Sequence, residues 1–180
     1  MITPRELTEE TPLVNVGTKE GERFLRRNTS VFDPDRYSRK ELHAMVRTMR
    51  KIMKRNEGIG LSANQVGLPF AFCVVEPPKE EGKARIFYAL GNPAILKRSI
   101  EVAEDEEGCL SVPETHGKVT RSERVTVEGI DIHGRAVRVR ARGLLARIFQ
   151  HEIDHLNGVL FIDKAREVHR TPNEEVKSKK

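Results

Sequence analysis

Apolar positions recur at helical spacing in two stretches of the chain and at strand spacing in several others. Leu42, Met45, Val46, Met49, Ile52 and Met53 form one stripe of a 3.6-residue helix, with Lys and Arg on the opposite face. Ser38, three residues before Glu41, makes a capping-box pattern, so the spacing predicts a helix from there to about Asn56–Gly58. Three Met lie on that stripe, where core packing accounts for them. Phe70–Val75 is a short apolar run with Pro on both sides and reads as a buried strand, with Cys73 as a packed thiol inside it. Ile86–Leu90 and Ile100–Ala103 read as further strands, and Lys79–Lys83 as a charged loop tip between them and the first. Arg124–His133 and Arg135–Ala141 alternate about Gly134 and predict a hairpin. Leu144–Asn157 is the second helical stretch, with Gly158 as its C-terminal glycine.

Residues 1–37 carry Pro4, Pro12, Gly17, Gly21 and Pro34 and read as an irregular N-terminal wrap. Several strands and two helices that do not alternate regularly predict an α+β fold. The expected form is short mixed or antiparallel sheets packed around a central helix, Leu144–Asn157, plus the N-terminal helix. Residues 1–165 are expected to form one catalytic domain and residues 166–180 a polar, flexible tail.

No apolar run approaches the roughly 20 residues that cross a bilayer. Met1–Glu10 lacks the basic and apolar regions of a secretion signal, so the expectation is a cytoplasmic protein without a membrane partner. Two cysteines, Cys73 and Cys109, do not suggest a disulfide in that setting. The net charge of +5 is compatible with life near RNA, yet no interleaved-aromatic RNA motif is present and no DNA partner is expected.

The second helix carries His151, Glu152 and His155. Residues four apart on a helix share a face, so both imidazoles can grip one metal ion, and Glu152 can act as a general base beside it. A catalytic site of this type needs a third protein ligand. The position three past Gly158 is Phe161, not His; Glu175 lies about twenty residues downstream, but in a polar stretch after Pro172. Cys109 is the third candidate. Gly108 before it permits close backbone approach, and Leu110–Val112 suggests a short strand that would hold the thiol rigidly. Gly58–Gly67 is rich in small residues but is no phosphate loop, since no Gly-Lys-Ser/Thr follows. Alone it reads as a helix-ending turn; Gln65 within it offers an amide donor for an oxyanion.

Taken together, GIGLSANQ (Gly58–Gln65), EGCLS (Glu107–Ser111) and QHEIDHLNG (Gln150–Gly158) resemble the peptide deformylase signature, over roughly residues 40–165. The resemblance implies hydrolysis of the N-formyl group from the N-terminal formyl-methionine of newly made polypeptides, releasing formate. It implies one divalent metal ion on Cys109, His151 and His155, with water as the fourth ligand. Fe(II) is the cellular metal the family favours, and Zn, Ni or Co can replace it. It implies Glu152 as proton carrier and an oxyanion site made by Gln65 and the Leu110 backbone N–H. The peptide would lie extended between Ile59–Gly60 and Gly108, with its methionine against Ile59, Leu144 and Ile148. Glu107 would pair with Arg121, and Asp154 would stand behind the ligands. Two departures stand out. Many bacterial members have a long C-terminal helix tied to transient ribosome contact, and the segment after Phe161 is much shorter here. Many also have an Arg near position 116, where this chain has His116.

Overall fold

The computed structural model describes residues 1–79, 81–82 and 84–170. The expected loop tip at Lys79–Lys83 and the segment 171–180, with Glu175, fall wholly or partly outside the described residues. Helix α1 spans Lys19–Leu25, α2 Arg39–Arg55 and α3 Gly143–Leu156. Strands β1 (Gly60–Ser62), β2 (Phe72–Val75), β3 (Tyr88–Arg98), β6 (Arg124–Ile130) and β7 (Ala136–Arg142) form one antiparallel sheet in the order β1-β2-β3-β6-β7. A second antiparallel sheet, β4-β5-β8, comprises Val102–Cys109, Val112–Ser122 and Arg166–Arg170. The architecture is α+β, as expected.

Helix α2 forms for the reason read in the sequence. Ser38 N donates to Glu41 Oε2 at 2.7 Å and Glu41 N to Ser38 Oγ at 3.3 Å, closing the capping box. Such a cap is worth about 1 kcal/mol. Its buried stripe, Leu42, Met45, Met49, Ile52 and Met53, joins Phe32, Leu61, Phe70 and Phe72 in one core cluster. A second cluster lies where Val125, Val127, Val139 and Ala141 meet Ala146, Ile148, Phe149 and Ile153, so α3 covers one face of the larger sheet. Helix α3 also contacts β5, which brings it against both sheets.

Four elements differ from the sequence reading. Helix α1 lies inside the expected wrap; Thr18 caps it, accepting from Gly21 N at 3.0 Å, but only Gly21 and Leu25 are buried, too few to print a periodic stripe. β3 runs on past Pro93, because a register shift between Gly91 and Ala94 accommodates the missing N–H. β4 continues through the acidic run Glu104–Glu107 to Cys109, held by its ladder with β5 rather than by apolar alternation. Residues 166–170, read as the start of a flexible tail, are strand β8, paired with β5 at Thr115, His116 and Lys118. The domain boundary expected at 165 therefore falls in front of a sheet strand. Among the described residues no helix is long and apolar enough to cross a membrane.

Candidate active site

β1 is one edge of the larger sheet and β4 one edge of the smaller, and a cleft opens between them with α3 as its floor. Of the eleven residues that the resemblance assigns to catalysis, metal or peptide, ten line it: Ile59, Gly60, Gln65, Gly108, Cys109, Leu110, Leu144, Ile148, His151 and Glu152. The eleventh, His155, lies just behind, with Nε2 3.1 Å from Cys109 Sγ and 3.2 Å from His151 Nε2. Cys109, His151 and His155 place their ligand atoms within 4.8 Å of one another, and they are the one such group found among the described residues. Cys73 is fully buried in the core around β2 and β3 and is not part of it.

The chemistry of the donor set fits a divalent metal. Burial opposes charge on both partners, yet His155 and His151 hold the Cys109 thiol well below its ordinary range. Against the same burial, Cys109 and Glu107 push His151 up to about 10. A cation at the meeting point of these three atoms would keep the thiolate and displace the imidazole proton. His151 Nδ1 lies 2.9 Å from Glu107 Oε2, the outward hydrogen bond that leaves Nε2 free to coordinate.

Glu107 is held in turn by two arginines. Arg121 donates from Nε and Nη2 to its two oxygens, each at 2.8 Å, and Arg147 Nη1 donates to Oε1 at 2.7 Å. Glu107 stays ionised far below the usual carboxylate range: burial opposes charge, and Arg121 and His151 outweigh it. Arg121 also donates to Asp154, which accepts from Lys164 Nζ at 2.7 Å. Arg147 reaches the carbonyls of Val119 and Ala103, each at 2.9 Å, and so ties α3 to β5 and β4.

Glu152 is 3% exposed, and burial raises its carboxyl above the ordinary value, closer to neutral pH where a proton carrier works best. Ser62 Oγ donates to Glu152 Oε2 at 2.6 Å. Gln65 is anchored by Ser62 N, which donates to its Oε1 at 2.8 Å, so its amide N–H group turns toward Ser111 Oγ at 3.1 Å and Cys109 Sγ at 3.7 Å. Leu110 sits at the turn where β4 passes to β5, directly after Cys109. A Cβ on Gly60 would lie 2.3 Å from Glu152 Oε1, so the absence of a side chain there makes room for the carboxylate.

The profile of the polypeptide deformylase family matches residues 14–171. The chain belongs to that family. A peptide deformylase of Halothermothrix orenii is 46% identical over 127 residues, covering 69% of this chain and 78% of the relative. Among solved structures, a probable peptide deformylase from Synechococcus phage S-SSM7 superposes with a TM-score of 0.76 at 34% identity, covering 86% of this chain and 99% of that one. A Met-Ala-Ser-bound class I type b peptide deformylase from Acinetobacter baumannii gives 0.75 at 31%, covering 85% and 96%. As a member of that family the chain is a hydrolase, and its Cys/His/His group is of the kind a metal-dependent family needs.

The sequence reading passed over Ser62, Arg147, Asn64 and Lys164. Asn64 Nδ2 donates to the His155 carbonyl at 2.7 Å and steadies the end of α3. Ser62 and Asn64 stand inside the glycine-rich segment, so their position was available although their partners were not. Arg147 follows Ala146 on a helix where an Arg ordinarily reads as solvated.

Proposed function

We propose that this chain removes the formyl group from the N-terminal formyl-methionine of newly made polypeptides, with Glu152 carrying the proton and Cys109, His151 and His155 holding one divalent ion. The observation that carries this reading is the convergence of Cys109 Sγ and both imidazole Nε2 atoms beside a buried carboxylate, at the floor of a cleft between two sheet edges. When bound, the ion supplies Lewis acidity, which lowers the pKa of water toward about 7 and polarises the formyl carbonyl.

The residues of the chain do the rest. Glu152 accepts the proton of the attacking water, whose oxygen bonds to the formyl carbon. The carbonyl oxygen gathers negative charge and meets the Gln65 amide and the Leu110 backbone N–H; one such donor is worth about 10²–10³ in rate. The C–N bond then breaks, and Glu152 returns the proton to the leaving amine, giving formate and a free N-terminus. Gly60 and Gly108 present bare backbone on opposing edges, which suits a peptide added as an extra strand. Ile59, Leu144 and Ile148 offer the apolar wall for methionine.

Fe(II) is the metal proposed for the cell, with Zn, Ni or Co as substitutes, since mixed sulfur and nitrogen ligands suit several first-row ions. The cytoplasm is the proposed site of action, with transient ribosome contact, where formylated chains arise. The test is metal analysis of anaerobically purified protein together with formate release from a formyl-Met peptide. One equivalent of metal, lost with activity in Cys109→Ala, is expected; full activity in that variant overturns the reading.

A further inference from the structure

The larger sheet has a second face, turned away from α3, and cations dominate it. On β7, Arg138, Arg140 and Arg142 alternate with the inward Val139 and Ala141. Ladder partners share a face, so Arg142 stands beside Arg124, Arg140 beside Thr126, and Arg138 beside Glu128; Lys97 of β3 joins them opposite Thr126. Five cations and one carboxylate therefore occupy neighbouring positions. Arg138 is paired with Glu128 at 2.6 Å and Arg124 with Glu101 at 2.8 Å. Lys97, Arg140 and Arg142 have no carboxylate partner among the described residues. Lys97, Arg98, Arg124, Arg140 and Arg142, with Glu101 as the one carboxylate, line a shallow open groove across the end of the strands.

We infer that this face docks the phosphate backbone of single-stranded RNA. Alternate residues on a strand lie about 6.6 Å apart, so Arg138, Arg140 and Arg142 set out a regular row about 13 Å long. Guanidinium groups match phosphate oxygens in a two-pronged geometry, and four of the five cations are Arg. A bilayer surface is disfavoured, because peripheral binding needs apolar side chains set among the cations. Of the apolar residues lining the groove, Val125 and Ala141 are buried, and Ile100, at 97% exposed, stands at its margin. Arg142 immediately precedes α3, so the row of cations ends two residues before Leu144, which lines the cleft. The inference rests on the sheet and its charges, and it stands independently of the hydrolase chemistry.

The experiment measures binding of a fluorescent 20-nucleotide oligouridylate to the full chain from 50 to 200 mM salt. The three cations without a carboxylate partner predict a log–log slope of about −2.1, a loss of about 20-fold in affinity over that range. The triple variant K97Q/R140Q/R142Q removes all three and should bind weakly, with a slope close to zero. Its formyl-Met peptide turnover should stay at the wild-type level, because the Arg142 side chain makes no capping bond to α3. As a second variant, Glu128→Gln removes the carboxylate from the face and should bind RNA more tightly than wild type. A triple variant with unchanged slope, or a Glu128→Gln variant that does not gain affinity, overturns the proposal. So does equal binding to polyglutamate, or binding to phosphatidylserine vesicles without binding to RNA.

Discussion

Gly60→Ala is the most direct probe of the proposed proton carrier, because it adds one methyl group without touching a metal-ligand candidate. The added Cβ would fall 2.3 Å from Glu152 Oε1, 2.9 Å from its Cδ and 2.9 Å from Ile148 Cγ2. An ordinary contact needs roughly 1 Å more, so either the carboxylate or β1 must move. Glu152 has little freedom to absorb this, since it is buried and accepts from Ser62 Oγ on its other oxygen. Displacing a reacting group by about 1 Å typically costs about 10²-fold in rate. Overpacking adds a stability loss of about 1–3 kcal/mol. The expected result is a kcat on a formyl-Met peptide about 100-fold below wild type, with bound metal unchanged. Gly58→Ala is the control: its Cβ meets the end of the Leu110 side chain at 2.9 Å, which can swing aside, and Met53 Cγ and O at 3.3 Å, which need give only a few tenths of an ångström, so kcat should fall only a few-fold. A Gly60→Ala enzyme with kcat within threefold of wild type, or one that has lost its metal, would refute the reasoning.

Glu152→Ala should retain one equivalent of metal and lose nearly all formate release; near-normal turnover would remove Glu152 from the mechanism. Arg121→Met leaves Glu107 and Asp154 short of their shared partner, and breaking such a buried pair costs about 3–5 kcal/mol, to be read as a drop in denaturation midpoint. Glu76, 1% exposed, is held by Arg50 first, then by Arg85 and Lys54, with its carboxyl at about 2 in the folded chain against 4.5 unperturbed. That lowered value means its contribution is present above about pH 4.5 and lost as pH falls toward 2, so the stability gap between wild type and Glu76→Gln should close across that window. Ending the chain after Ala165 removes β8 from its pairing with Thr115 and His116 and should raise KM more than it lowers kcat; an unchanged KM would show that β8 does not support the cleft wall.

Much of this protein is written in local rules. The i, i+4 spacing alone puts His151 and His155 on one face of α3, because a helix turns every 3.6 residues whatever surrounds it. The box at Ser38 and Glu41 and the stripe from Leu42 to Met53 likewise define α2 without outside help. Gly158 ends its helix region with φ +73°, a conformation where glycine carries no penalty. Tertiary structure decided what no local rule could. Cys109 meets the histidines only because β4 and β5 pair and α3 packs against them. The run Glu104–Glu107 becomes a strand through ladder bonds with β5, and residues 166–170 through ladder bonds with the same strand, although neither has an apolar pattern. Arg147 and Ser62 are buried because Glu107 and Glu152 wait for them across the fold, and a polar side chain in sequence carries no mark of a distant partner. Periodicity reports which face of an element is apolar; which elements face one another is settled by packing and by the pairing of buried charge.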